Sequence, residues 1–385
     1  MKLTVTQVNY INILLMLIAG VCAFFRPFET FLFAYAFLGP AHYLTEISWL
    51  HDRNYFTKGK FDWIFLLLAG VIITLANFKM VPNLPDGAAT VIIFVAFFGS
   101  LVFVLSKNVA VRIGSIIGIA LISKLFVGNQ YFESVFGAFM PTLIHVFIFT
   151  GLFILVGALK SKSFSGILSL VVFVLIALSF FYLPVSNGHY TPTEYVKSSY
   201  GTLKPLKDEY GNYYSYDKGE YIPVEDSVKG GDISMYSTGE GFISLNEAIR
   251  KIFNVHKFGK PNMSYEAFVQ SVNDFFYSNP LMLAIMGFIG FAYLYHYLNW
   301  FSKTSVIQWH NIPRARFIAI IVLWFVSIAL YAYDYAVGLQ WLFFLSFTHV
   351  LLEFPLNQLT FINIGKEIGG IASGKKSGGV KAAKA

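Results

Sequence analysis

The sequence predicts an all-α polytopic membrane protein, about ten transmembrane helices with a small α+β extracytoplasmic insertion, and three observations predict it. Hydrophobic residues are 56% of the 385 and charged residues only 13%, a balance outside that of soluble domains. The apolar residues gather into ten runs, each close to the ~20 residues that a helix needs to cross a bilayer. Between the seventh and eighth runs, residues 185–279 turn to Tyr, Gly, Asp, Glu and Lys, a stretch too long to be a simple connection.

The runs lie near residues 9–26, 28–50, 62–79, 88–106, 111–128, 137–159, 165–184, 280–302, 315–334 and 338–357. Residues 1–184 therefore hold spans one to seven, and residues 280–357 hold spans eight to ten. No small-residue cleavage site follows the first run, so it reads as a retained helix and not a signal peptide. The connections after the second, fourth, sixth and eighth runs carry Arg53, Lys58 and Lys60, then Lys107 and Arg112, then Lys160 and Lys162, then Lys303, Arg314 and Arg316. Apart from the long insertion, the other connections hold only Arg26, Lys79 and Lys124. By the positive-inside rule both termini are cytoplasmic, as in an integral protein of a bacterial inner membrane. The end of the chain, 358–385, reads as a disordered cytoplasmic tail because Lys, Gly, Ser and Ala dominate it.

The first half of the insertion has turn signals at 208–212 and at Tyr216-Asp217-Lys218-Gly219 between short aromatic runs, which predicts hairpins. Its second half predicts two amphipathic helices. One opens on the capping-box residues Ser244 and Glu247 and runs to about Asn254; the other covers about 264–277. These helices lie on the outer membrane surface or cap the bundle, and the insertion is the place for a protein partner. His189 and His256 belong to it and, lacking ligand-like neighbours, read as surface or packing histidines.

A formal charge of +7 raises the question of nucleic acid. The basic residues are scattered through short connections, where topology accounts for them, so no nucleic-acid partner is expected. The single cysteine, Cys22, excludes an internal disulfide and a thiolate metal cluster. A bound metal must therefore use nitrogen and oxygen donors.

The chemistry gathers in a short motif that occurs twice. His42 and Glu46 stand four residues apart in the second run, and His349 and Glu353 repeat the spacing in the tenth. In a helix such a pair projects from one face about a turn apart. Glu46 and Glu353 lie well inside apolar runs, where an ionisable group is costly and signals function. His42 and His349 each fall eight residues before the cytoplasmic end of their run, roughly 12 Å below that surface at an α-helical rise. His296 on the eighth run has a similar depth, His51 and His310 fall at the cytoplasmic mouth, and His145 on the sixth run lies nearer the bilayer middle. This predicts a non-haem metal site with His42, His296, His349 and His51 as ligands and His145 as a second-rank ligand or proton relay. Glu46 and Glu353 are the catalytic carboxylates. Iron is the first choice and zinc the second, because imidazole with carboxylate suits both. The structural alternative is two hydrogen-bonded pairs that pin helices together. Tyr43, Tyr293, Tyr295, Tyr297 and Trp49 read as interfacial-belt and packing residues.

Gly39, Pro40, His42 and Glu46, with His296 and His349 as further helix-borne imidazoles, resemble the arrangement in the integral-membrane carotene-cleaving dioxygenases of bacteria and archaea. The resemblance covers short islands of the chain. Here Ala41 separates the proline from the histidine, and the acid is Glu where that family carries Asp. What the resemblance implies is a ferrous centre that binds dioxygen and an apolar substrate that enters sideways from the lipid. A lipid or a carotenoid-like small molecule would be oxygenated, hydroxylated or desaturated.

Two other classes compete. Trp309-His310 followed by His349 is loosely similar to the histidines of membrane-bound acyltransferases, with His310 as a catalytic residue that a thioester donor would reach from the cytoplasm. A cation- or proton-coupled transporter would use both His-x-x-x-Glu motifs to bind what it moves.

Overall fold

The computed structural model describes residues 3–77, 80, 85, 87–201, 213–215, 220–222, 242, 245, 249, 270 and 274–372. Among these residues the chain is helical apart from one short strand pair. Helix α1 is Val5–Phe25, opened by Thr4 and Gln7 in a capping box. Helix α2 is one continuous rod made of Pro27–Phe33, a π-helical turn at Ala34–Leu38, and Gly39–His51. Then come α3 (Asp62–Asn77), α4 (Ala88–Leu105), α5 (Val109–Ser123), α6 (Gln130–Ser161) and α7 (Phe164–Tyr182). After the insertion follow α9 (Pro280–Ser302), α10 (Arg314–Tyr333) and α11 (Tyr335–Ala372), with α8 (Glu194–Tyr200) inside the insertion.

Seven of these helices, α1, α4, α6, α7, α9, α10 and α11, are long and apolar enough to cross a membrane. Helices α3 and α5 are shorter apolar helices. The chain is thus compatible with an integral membrane protein. Burial within the bundle runs against hydropathy in a way a lipid environment explains. Helix α10 has mean hydropathy 2.2 yet only 17% of its span is buried, whereas α9 has 1.6 and is 83% buried. Lipid accepts the apolar flank of α10, and α9 can carry polar groups because protein surrounds it.

Two apolar clusters make the core. The larger surrounds α9, with Phe28 and Phe31 of α2, Phe173 and Phe180 of α7, and Met282 to Tyr297 of α9 itself. The smaller joins Leu50 of α2, Leu66 and Ile73 of α3, Phe97 of α4, and Val350 to Phe354 of α11. Close approach of two helix pairs depends on glycine. A Cβ on Gly290 would stand 2.8 Å from the Pro27 carbonyl oxygen, and one on Gly70 would stand 2.7 Å from Thr348 Oγ1. These contacts bring α9 onto α2 and α3 onto α11.

Prolines explain the π-helical segments. Pro40 has no N–H, so the carbonyl four residues back loses its α-helical donor. The chain responds with a wider turn, in which the Gly39 N–H reaches the Ala34 carbonyl, an i→i+5 bond. Pro141 does the same within Glu133–Phe149, the π-helical part of α6.

The described residues of 185–279 include a strand pair and several side chains packed on the bundle. Strands β1 (Tyr213–Ser215) and β2 (Glu220–Ile222) pair antiparallel, with Tyr214 opposite Tyr221, on either side of the turn expected at 216–219. Leu245, Ile249 and 274–278 are helical. Leu245, Ile249, Phe276 and Tyr277 are buried in the larger cluster, and the Phe242 ring lies 4.7 Å from Phe31. The turns at 208–212 and 216–219, the capping-box residues Ser244 and Glu247, most of both amphipathic helices and His256 lie outside the described residues. His189 is exposed.

One expected boundary is corrected. The last run was to end at residue 357 and give way to a disordered tail, yet α11 continues to Ala372. Asn357, Gln358 and Thr360 lower the hydropathy, but all three are buried. Gln358 donates to the Phe97 carbonyl, so packing against α4 carries the helix past the end of its apolar run. Residues 373–385 lie outside the described residues.

Candidate metal centre

Four helices that are distant in sequence each deliver one imidazole to the same point in the interior. His42 comes from α2, His145 from α6, His296 from α9 and His349 from α11. The rings stand at the corners of a quadrilateral. Its sides are 4.7 Å (His42 to His296), 4.9 Å (His296 to His145), 5.0 Å (His145 to His349) and 5.5 Å (His349 to His42), centroid to centroid. All four are buried, His296 most exposed at 7%. His42 Nε2 stands 3.0 Å from His296 Nε2, and His145 Nε2 stands 3.2 Å from His349 Nε2.

Two of the four outer nitrogens, those of His349 and His296, are hydrogen-bonded to the protein, and a third, that of His145, lies beside a carboxylate. The Nδ1 of His349 donates to the Leu345 carbonyl at 3.3 Å, and that of His296 is 2.8 Å from Thr150 Oγ1. The Nδ1 of His145 is 3.1 Å from Glu353 Oε2. A neutral imidazole with its proton on Nδ1 turns a bare lone pair inward at Nε2. Where both facing nitrogens carry lone pairs at 3.0–3.2 Å they repel and a cation between them removes the repulsion, whereas a proton on one of them makes the pair a hydrogen bond. Two imidazole nitrogens at right angles on an ion with bonds of about 2.1 Å would stand about 3.0 Å apart. The spacing therefore fits a metal ion. Ligand atoms of His42, His145 and His296 lie within 4.8 Å of one another, as do those of His42, Glu46 and His349. With Cys22 exposed on α1, the buried, histidine-rich group can hold a metal ion through nitrogen and oxygen donors.

The two acids differ in partner. Glu46 Oε2 is 3.0 Å from Nε2 of His42, its own helix neighbour. Glu353 lies not against His349, four residues before it, but against His145 of another helix. Both carboxylates are 2% exposed.

Not every expected site residue joins. His51 is exposed at the end of α2, its Nδ1 3.5 Å from the Tyr55 hydroxyl. His310 is exposed in the turn between α9 and α10, its ring beside Trp309. Both follow the last turn of a helix that carries a site histidine, so counting residues placed them near the centre while packing leaves them outside. His145 moves the other way. Reckoned at a straight α-helical rise it lay deeper than the rest, but α6 is π-helical there and its histidine touches two of the other three rings.

Several neighbours of the centre were not foreseen as such. The Tyr43 ring stacks on His349 at 4.2 Å, and its hydroxyl is 2.8 Å from that of Tyr297. Both tyrosines are buried, against the site and not in an interfacial belt. Trp300 Nε1 donates to Thr45 Oγ1 at 3.0 Å and ties α9 to α2 beside His42. Thr150 stands five residues after His145, a spacing that reads as neighbouring only if the intervening turn is π-helical. A threonine after a proline-containing histidine segment is the one signal that could have found it. Comparison of the chain with family models, with curated proteins and with solved structures finds no match to any of them.

Proposed function

We propose that this chain is an integral-membrane non-haem metal enzyme, with iron preferred over zinc, that oxygenates, hydroxylates or desaturates an apolar lipid or carotenoid-like substrate. The observation that carries this reading is the convergence of four buried imidazoles with their inner nitrogens 3.0–3.2 Å apart in two pairs. Bundle pinning alone needs one pair of polar groups per helix contact, and it does not account for four helices aiming at one point.

His42, His145, His296 and His349 would hold the ion. A bound ferrous ion supplies one-electron chemistry with dioxygen, which no side chain of this protein can supply by itself. The chain's own contribution is positional. Glu353, Thr150 and the Leu345 carbonyl would stand behind the outer nitrogens of His145, His296 and His349, favour unprotonated inner nitrogens and fix the direction of those three rings. Tyr43, Tyr297 and Trp300 wall the centre with apolar ring faces and exclude water. Ten spans, cytoplasmic termini and a bacterial inner membrane agree with the distribution of Lys and Arg, and the insertion offers a surface for a protein partner. Acyl transfer draws no support from the site, since His310 is exposed and His349 is enclosed.

The test is elemental analysis of detergent-purified protein from cells supplied with iron and zinc, joined to a comparison of lipid extracts with and without the protein. About one iron per chain and an oxygenated or dehydrogenated apolar product are expected from the fully coordinated centre. Protein without transition metal above background overturns the reading.

A further inference from the structure

The two acids of the centre approach their histidines from opposite sides. Glu353 Oε2 meets His145 at Nδ1 while the same ring's Nε2 points at His349, the place of a group that orients a ligand from behind. Glu46 Oε2 meets His42 at Nε2, the nitrogen that also faces His296 Nε2 at 3.0 Å. That oxygen is therefore on the inner side of the ring, among the donors. Glu46 Oε2 is buried and makes no aligned hydrogen bond, and the same holds for Glu353 Oε2 and His145 Nδ1, so position separates the two acids: ligand atoms of His42, Glu46 and His349 lie within 4.8 Å of one another, and Glu353 joins no such group among the described residues. The Nδ1 of His42 is likewise buried without a partner, so no acid plays for His42 the part that Glu353 plays for His145. An unpartnered, buried carboxylate oxygen is expensive, and a cation is the group that would offset it.

We propose that Glu46 is a direct ligand of the ion, so that four histidines and one carboxylate bind it, while Glu353 is a positioning residue only. This rests on the metal reading above and goes further, because it limits what else can bind. An iron centre with six positions and five protein donors keeps one open. A two-donor co-substrate such as a 2-oxoacid, or a substrate that chelates through adjacent oxygens, finds no room. The substrate class is then an apolar molecule without a chelating group, held by side chains and not by the metal, and a single small molecule occupies the open position.

Two measurements on purified protein in detergent test this, neither relying on turnover. In the first, metal-stripped protein is reloaded with Co2+ and its visible spectrum recorded. Glu46→Gln and Glu46→Asp are expected to shift the cobalt bands, whereas Glu353→Gln leaves the bands of the wild type and weakens cobalt binding by about 10- to 100-fold. In the second, 2-oxoglutarate is added to the ferrous wild-type protein, where no charge-transfer band is expected, and to Glu46→Gln, where one appears. Unshifted cobalt bands in both Glu46 variants, or a 2-oxoglutarate band in the wild type, overturns the assignment of Glu46 while leaving the metal reading intact. The wild-type measurement stands if the variants fail to fold. A wild-type protein that takes up neither cobalt nor iron overturns the metal reading itself, and this assignment with it.

Discussion

His42–Glu46 and His349–Glu353 are the same pattern in sequence and different objects in space. In the first, the acid stays with its own histidine at 3.0 Å; in the second, it crosses to His145 at 3.1 Å on another helix. The i,i+4 spacing puts both groups on one face of a helix, but a side chain of that length has room to choose a different partner one helix away. What decides the choice is the neighbour. Helix α6 brings His145 up to Glu353, whereas Glu46 keeps within 4.8 Å of the ligand atoms of His42 and His349. On the proposed reading one motif would supply two ligands, and its copy a ligand plus support for a third histidine.

This contrast can be broken by substitution, and the expected losses fall in a definite order. Replacement of any one of the four site histidines by alanine should bring bound metal close to zero, measured by elemental analysis. His145→Ala should be as damaging as His42→Ala, although only His42 has an acid four residues later. If His145→Ala keeps its metal, the second motif stands alone as the first does and the contrast fails. Next in size, Glu353→Gln should weaken metal affinity by about 10- to 100-fold, measured by competition with a chelator, because the acid acts through the His145 ring. Smaller again, Thr150→Val removes the partner of His296 Nδ1 and should cost about tenfold in metal affinity; the conservative Thr150→Ser should restore it. At the bottom, His51→Ala and His310→Ala should leave metal content unchanged, since both rings are exposed and outside the centre.

Much of this was open to inspection in the chain, and what was hidden was hidden for identifiable reasons. The apolar runs, the polar insertion and the two acids inside apolar segments announce themselves because hydropathy is a local property. His42, His296 and His349 could be grouped by depth, since each sits on an uninterrupted stretch of α-helix. His145 could not, because Pro141 forces a π-helical segment that changes both the rise and the face, and a 3.6-residue count does not anticipate it. His51 and His310 were drawn in by the same arithmetic. Depth along a helix says nothing of the direction in which a side chain at its end points. Tyr43 and Tyr297 looked like belt aromatics, as tyrosines near a span's end often are, until the packing of α2 against α9 enclosed them.

By itself the sequence determined that this is a bundle of apolar helices interrupted by one polar insertion, and that no cluster of several thiolates could hold a metal. Composition settles both, since lipid selects apolar runs wherever they fall and a chain with one cysteine cannot build a multi-thiolate site. The tertiary structure alone decided which histidines meet, which acid faces inward and which supports from behind. Those depend on the phase of four helices relative to one another, and that phase is set by glycine contacts and by the π-turns beside Pro40 and Pro141.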